Sequence, residues 1–247
     1  MPTVTMRVFR GDAGGGEWQD YTVEVEEGQV VLDVIHTIQA TQAPDLAVRW
    51  NCKAGKCGSC SAEINGKPRL MCMTRMNLFD PAGDPISVAP MKTWPLIKDL
   101  VTDVSFNYRV AEQVPAFKPK DAEADGTLRM AQEDIDRGQE FRKCIECYLC
   151  QDVCHVLRDH HKHEEFIGPR FLVHAAALEM HPLDTADRVA ELKDAFGIGY
   201  CNITKCCTKV CPEEITITDN AIIPLKERVV DEFYDPLGKL IKMLRPK

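Results

Sequence analysis

Two stretches in the second half of the chain carry cysteines at one repeated spacing. The first is Cys144-Ile-Glu-Cys147-Tyr-Leu-Cys150-Gln-Asp-Val-Cys154, and the second is Cys201-Asn-Ile-Thr204-Lys-Cys206-Cys207-Thr-Lys-Val-Cys211-Pro212. Superposed, both follow C-x2-C-x2-C-x3-C, with Thr204 where the second run should have its second cysteine. That spacing wraps a cubane iron–sulfur cluster. Twelve cysteines in 247 residues also raise the disulfide reading. Disulfide frameworks belong to small secreted chains. Here Met1 runs almost directly into a strand-like segment with no signal peptide, so a reducing compartment and metal ligation fit better.

In two-cluster ferredoxins the fourth cysteine of each run ligates the other run's cluster. Applied here, Cys144, Cys147 and Cys150 share a cluster with Cys211, while Cys201 and Cys207 share one with Cys154. The first set has four thiolates. The second has three, because Thr204 supplies none, and a cube with an uncoordinated corner loses that iron. The expectation is [4Fe-4S] beside [3Fe-4S].

A third motif lies nearer the start. Cys52-Lys-Ala-Gly-Lys-Cys57-Gly-Ser-Cys60, with Cys72 eleven residues beyond, is plant-type [2Fe-2S] spacing. Two irons need four thiolates at tetrahedral corners, and Gly55 and Gly58 permit close backbone approach and positive φ. Amide N–H groups can then point at the sulfurs and stabilise the reduced, more negative cluster. A structural zinc site is the alternative, but zinc sites show paired C-x2-C knuckles, which this pattern lacks.

Around that motif the pattern alternates as strands at 4–9 and 21–26, joined by a glycine-rich hairpin from Gly11 to Gly16. Those glycines lack the Lys-Ser/Thr that follows a phosphate-binding loop. A helix is expected over Asp33–Gln42, a hairpin of Ser61–Ile64 and Arg69–Met73 around Asn65-Gly66, and a last strand at Ile86–Ala89. Strands, one helix and a cysteine loop predict a β-grasp, plant-type ferredoxin domain over residues 1–107. Pro90–Val101 reads as a connector and Glu112–Gly126 as exposed chain.

Residues 108–247 read as an all-α, bacterial-ferredoxin-like domain holding two cubane-type clusters, which makes the whole chain α+β. Helices are expected from Thr127 to Arg142, over Arg170–Met180, over Thr185–Phe196 and over Asn220–Phe233. Pro212 after Cys211 turns the chain away from its cluster, whereas His155 stands at the equivalent place in the first run. A net charge of −8 argues against nucleic acid, and no stretch approaches the roughly 20 apolar residues of a membrane span.

Three motifs in this order, with Pro-Leu-Ile-Lys-Asp-Leu-Val-Thr-Asp at 95–103 between them, resemble the iron–sulfur subunit of succinate dehydrogenase and fumarate reductase over nearly the whole chain. The resemblance implies that Cys52, Cys57, Cys60 and Cys72 hold [2Fe-2S]. It implies the same crossed sets: Cys144, Cys147, Cys150 and Cys211 for [4Fe-4S], and Cys154, Cys201 and Cys207 for [3Fe-4S]. Cys206 is left over and reads as a buried free thiol. No substrate chemistry falls to this subunit. The implied enzyme is a succinate:quinone oxidoreductase in which electrons pass singly from covalent FAD on a flavoprotein subunit to a quinone at a membrane anchor. The implied location is peripheral, on the cytoplasmic face of the bacterial inner membrane. Fumarate reduction in the reverse direction needs no different ligand. An electron-transfer subunit of another flavin oxidoreductase would be expected to carry two complete runs.

Ubiquinone-reducing members carry proline and tryptophans after the equivalent of Cys154, and a histidine after that of Cys201. Here His155-Val-Leu-Arg158-Asp159-His160-His161-Lys162-His163 follows Cys154, and Asn202 follows Cys201. The quinone site therefore does not transfer residue by residue. A different anchor is expected, such as a diheme type with haem b, working with menaquinone or ubiquinone. The histidines read as a polar turn, as an anchor interface or proton path, or as a metal site. The basic, apolar tail from Leu237 reads as a terminal helix on its own domain or as a segment resting against anchor or lipid.

Overall fold

The computed structural model describes residues 2–236, so the expectation for the tail from Leu237 lies outside the described residues. The chain divides into two compact units. One runs to Phe106 and includes Ile145–Val153 and Val210–Pro212. The other takes Asn107–Cys144, Cys154–Lys209 and the chain from Glu213 on.

The first unit is built on a mixed sheet. Strand β1 (Thr3–Asp12) pairs antiparallel with β2 (Gly15–Glu24) along its length, the register closing at Asp12 opposite Gly15. The expected loose loop from Gly11 to Gly16 is thus a two-residue turn, because the strands run on into the glycines. β1 also pairs parallel with β5 (Ile86–Ala89) and, at Asp12, antiparallel with β6 (Leu96–Lys98), which turns back as β7 (Val101–Thr102). β3 (Ser61–Ile64) and β4 (Lys67–Leu70) form the expected hairpin. Both turn residues are left-handed, Asn65 with φ 48° and Gly66 with φ 70°, as a two-residue primed turn requires. Helix α1 (Val31–Thr41) lays Val31, Leu32, Val34, Ile35 and Ile38 into a core with Met6, Val8, Ile64 and Val88. Its amino end is tied down twice. Asp33 accepts from the Val30 amide at 3.1 Å, and the Val31 and Leu32 amides donate to Thr74 and Met71 at 2.9 and 3.2 Å. Those carbonyls flank Cys72.

The second unit is helical among its described residues, apart from an isolated bridge between Pro119 and Asp184. It contains α2 (Ser105–Gln113, from Asn107 on), α3 (Gln132–Arg142), α5 (His155–Arg158), α6 (Pro169–Glu179), α7 (Val189–Asp194), most of α8 (Cys206–Val210) and α9 (Ile223–Phe233). The short α4 (Leu149–Asp152) belongs to the first unit. Three expectations change. Helix α2 falls where a connector gave way to exposed chain. α3 begins five residues after Thr127, because Asp125 captures the Thr127 amide at 3.0 Å and Arg129 at 2.6 Å in a local turn that competes with the helix. α7 is shorter than 185–196 because the Thr185 amide leaves to donate to Lys118 O at 2.9 Å. Residues 217–222 form a π-helix running into α9, with Pro224 in the first turn of the latter. Among the described residues, no helix is long and apolar enough to cross a membrane.

Candidate iron–sulfur cluster sites

None of the twelve cysteines forms a disulfide, so the disulfide reading finds no pair. The loop of the first motif curls so that amides aim at sulfurs. Ala54 N and Lys56 N donate to Cys52 Sγ at 3.4 and 3.3 Å, Cys52 N donates to Cys57 Sγ at 3.5 Å, and Cys72 N donates to Cys60 Sγ at 3.5 Å. These are the contacts that stabilise thiolate charge. Burial pushes the Cys57 thiol up, but donors from Ser59 and the Cys52 amide outweigh it and hold the group at about 7. Deeper in, burial pushes Cys60 up to about 12, with Cys72 and Cys57 adding to the rise. A thiol held protonated by burial among other thiols is stabilised when a cationic centre replaces its proton.

Buried polar side chains hold this loop in place. Asp99, 2 % exposed, accepts from Ala47 N at 2.8 Å, Gly11 N at 3.0 Å and Arg10 Nε at 3.1 Å. Ser61 Oγ donates to Cys147 O at 2.8 Å, joining the end of the first motif to the second. Gly58 makes that approach possible. Its φ is 68°, and a Cβ there would lie 2.5 Å from Cys147 Cα. Farther along, Asp152 on α4 accepts from Thr93 N at 3.1 Å. Sequence reasoning missed Asp99, Ser61 and Thr93. Their partners lie 52 to 89 residues away, beyond the reach of a local pattern.

The two later runs share one backbone conformation. Around Cys147, Glu146 and Tyr148 are left-handed (φ 55° and 60°); around Thr204, Ile203 and Lys205 are left-handed (φ 62° and 60°). A positive φ at a β-branched residue such as Ile203 is an outlier that only a demanding environment maintains. Alternating right- and left-handed residues turn successive amides into one concavity, the arrangement that cradles anions and iron–sulfur sulfurs. A short helix then follows each run at the same place, α4 from Leu149 and α8 from Cys206. Thr204 therefore occupies the backbone position of Cys147.

Cys147, Cys150 and Cys211 belong to the first unit and Cys144 to the second. Cys154, Cys201, Cys206 and Cys207 all belong to the second. Burial pushes Cys154 up to about 12, against hydrogen bonds from the Leu157 and Val156 amides, and the neighbouring Cys206 and Cys207 add to the rise. Cys207 is likewise raised by burial, with Cys206 and Cys201 adding to it, and its Sγ meets Thr218 Oγ1 on the π-helix at 3.4 Å. A buried Thr218 (1 % exposed) is a further site residue that sequence reasoning missed. Upstream of the run, Gly197 is left-handed (φ 59°), and a Cβ there would collide with Glu165 O at 1.8 Å.

His155 opens α5, and its ring lies 5.9 Å from that of His160, while His160 and His161 are exposed. Among the described residues, no group of three or more His, Cys, Asp or Glu is placed to hold a single metal ion, so the metal reading of the histidines finds no support. A multinuclear cluster differs, since its thiolates are shared out over several irons, one on each in a cubane and two on each in a [2Fe-2S] rhomb, and need not meet at one point.

Residues 5–108 match the 2Fe-2S iron-sulfur cluster binding domain family and residues 140–215 match the 4Fe-4S dicluster domain family. The chain is similar to the fumarate reductase iron-sulfur subunit of Mycobacterium tuberculosis, 31% identical over 80% of each chain. It is also similar to the succinate dehydrogenase iron-sulfur subunit of Bacillus subtilis, 32% identical over 69% of this chain and 68% of that one. Among solved structures, a chain of the Mycobacterium smegmatis Sdh1 complex in the apo form superposes with a TM-score of 0.91 and 64% identity, over 95% of this chain and 98% of that one. The chain spans less than half the length, 42% and 46%, of matched relatives from Methanococcus maripaludis and Methanothermobacter marburgensis. With a 2Fe-2S domain followed by a 4Fe-4S dicluster domain, the chain belongs to the family of succinate dehydrogenase and fumarate reductase iron–sulfur subunits.

Proposed function

We propose that this chain is the electron-transfer subunit of a succinate:quinone oxidoreductase, with residues 1–107 as a β-grasp ferredoxin domain and 108–247 as a dicluster domain. Its residues would hold [2Fe-2S] on Cys52, Cys57, Cys60 and Cys72, [4Fe-4S] on Cys144, Cys147, Cys150 and Cys211, and [3Fe-4S] on Cys154, Cys201 and Cys207. The clusters supply one-electron carriage between a two-electron flavin and a two-electron quinone. The observation that carries this reading is the shared backbone wrap of the two runs, with a thiol at Cys147 and a hydroxyl at Thr204, in a chain of this family.

The chain's own part is to position and tune. The Ala54, Lys56, Cys52 and Cys72 amides offset negative charge on the sulfurs of the first site. Gly58 and Ser61 hold the first cysteine loop against the backbone of Cys147, which shortens the path between two carriers. Burial of Cys60, Cys72, Cys147, Cys150, Cys154 and Cys207 excludes water from the sites. The partners are a flavoprotein subunit with covalent FAD and a membrane anchor of diheme type serving menaquinone or ubiquinone. The chain would sit peripherally at the cytoplasmic face of the bacterial inner membrane.

Freeze-quenched electron paramagnetic resonance (EPR) on the assembled complex tests this reading. Succinate should reduce the clusters before quinone is reduced. If dithionite reduces them and succinate does not, the partner is a different flavin oxidoreductase. Replacing His160 and His161 with alanine should lower quinone reduction and spare artificial-dye reduction if those exposed rings serve the quinone end; equal loss of both would remove them from that role.

A further inference from the structure

The third ligand set offers three thiols, and a fourth thiol lies beside its open place. Thr204 stands where the first run has Cys147, inside the same left-handed frame, and its Oγ1 is 3.2 Å from Cys206 Sγ. Cys206 is not isolated. It opens α8 one residue before Cys207. The same helical position in the first run is Leu149, 1 % exposed and packed into the core. A side chain able to bind iron thus replaces a core-filling one in the run that lacks a ligand. Cys206 is only half-buried, so a metal ion from solvent could reach it.

We infer that Cys206 is an alternative fourth ligand of the cluster held by Cys154, Cys201 and Cys207, closing the corner that Thr204 leaves open when the cluster is reduced and ferrous iron is present. The inference rests on the cluster assignment proposed above. It makes the site a ferrous-iron-responsive one, switching between three-iron and four-iron forms.

The step balances. The Cys206 S–H proton leaves to water, the sulfur forms an Fe–S bond, and the ferrous ion gives up bound water. A reduced three-iron core holds one Fe(II) and two Fe(III) with four sulfides, and its net charge is zero. Adding one Fe(II) gives two of each and a core charge of 2+, the ordinary oxidised state of a cubane. No electron is needed beyond the one that reduces the three-iron form. Cluster type and charge set the potential, so closing the corner alters electron exit at this end of the chain.

The test uses the purified holocomplex, reduced anaerobically with dithionite, incubated with 57Fe(II), desalted and reoxidised with a mild oxidant. A three-iron EPR signal in the starting oxidised protein secures the underlying cluster assignment; its absence there would overturn that assignment rather than the role of Cys206. The wild type should then lose most of the signal and retain one 57Fe per chain, whereas Cys206→Ser and Cys206→Ala should keep the signal and retain none. Uptake by the variants equal to wild type, or no uptake by wild type, would overturn the proposal. Mössbauer spectra of the added iron in wild type decide the matter even if a variant fails to assemble its clusters. An all-sulfur tetrahedral site supports Cys206 ligation, and an oxygen- or nitrogen-ligated iron contradicts it.

Discussion

The two later cysteine runs share a backbone wrap and part company at the position where the second cysteine is expected. Both place left-handed residues on either side of the second ligand position, at 146 and 148 and at 203 and 205, and both enter a short helix at the next residue. Yet one carries Cys147 and the other Thr204. The wrap is therefore maintained without the thiolate that motivates it. Under the proposed assignment, the thiol at Cys147 and the hydroxyl at Thr204 set how many irons each run holds. A second contrast follows from the surroundings. Cys147 is gripped from outside its run by Ser61 and by the bare backbone of Gly58. Thr204 instead meets a residue of its own run, its Oγ1 lying 3.2 Å from Cys206 Sγ.

Exchanging the two side chains breaks the comparison most directly. Cys147→Thr should strip the four-iron set of a thiolate and lower succinate-driven quinone reduction at least about tenfold, the effect of some 1.4 kcal/mol on a barrier. Retained turnover with an intact four-iron signal would show that position 147 does not bind iron. Thr204→Cys should convert the oxidised-state three-iron signal into a silent four-iron centre; an unchanged signal would mean that the wrap, not the side chain, sets nuclearity.

The supports come next. Asp99→Ala leaves the 14 % exposed Arg10 without its buried partner and Ala47 N without an acceptor next to the first cysteine loop. Arg10 keeps Asp45 and Tyr21, so the cost is that of the Ala47 and Gly11 amides left without an acceptor, about 1–3 kcal/mol, and the denaturant midpoint of the [2Fe-2S] absorbance should fall accordingly. Gly58→Ala adds a Cβ 2.5 Å from Cys147 Cα at a φ of 68°. The strain of about 1–2 kcal/mol should broaden the [2Fe-2S] signal and slow electron passage to the next centre. An unaltered spectrum would mean that the two loops are not coupled through this contact.

The smallest effect is pH-dependent. Glu140 is partly buried, which raises its carboxyl, but bonds from Asn220 and Thr216 outweigh this and lower it below its ordinary 4.5. A carboxyl lowered on folding adds stability above its unfolded value and loses it as pH falls through the folded one. Glu140→Gln should cost about 1 kcal/mol at neutral pH and flatten the acid limb of the stability curve below roughly pH 4.5. An unchanged acid limb would remove Glu140 as the clasp between α3 and the π-helix.

Much of the site was legible because ligand spacing is local. The Asn65-Gly66 turn and strand β5 likewise act within a few residues, and both stand where the pattern put them. What was hidden depends on partners far along the chain. Ser61 reads as an ordinary strand residue until Cys147 arrives beside it, Asp99 as a surface acid until three donors surround it, and Thr218 as a loop hydroxyl until Cys207 packs on it. The helix errors have a different origin. Asp125 and Thr185 found local or bridging partners for amides that a periodic apolar pattern assigns to helices.

The most direct test of the central claim is EPR on anaerobically purified protein, recorded as oxidised and after dithionite. The account predicts a three-iron signal in the oxidised state that disappears on reduction, replaced by a reduced [2Fe-2S] signal. Reduced-state signals alone would mean that Thr204 leaves no corner open, and a colourless, iron-free protein without signals would contradict the cluster assignment as a whole.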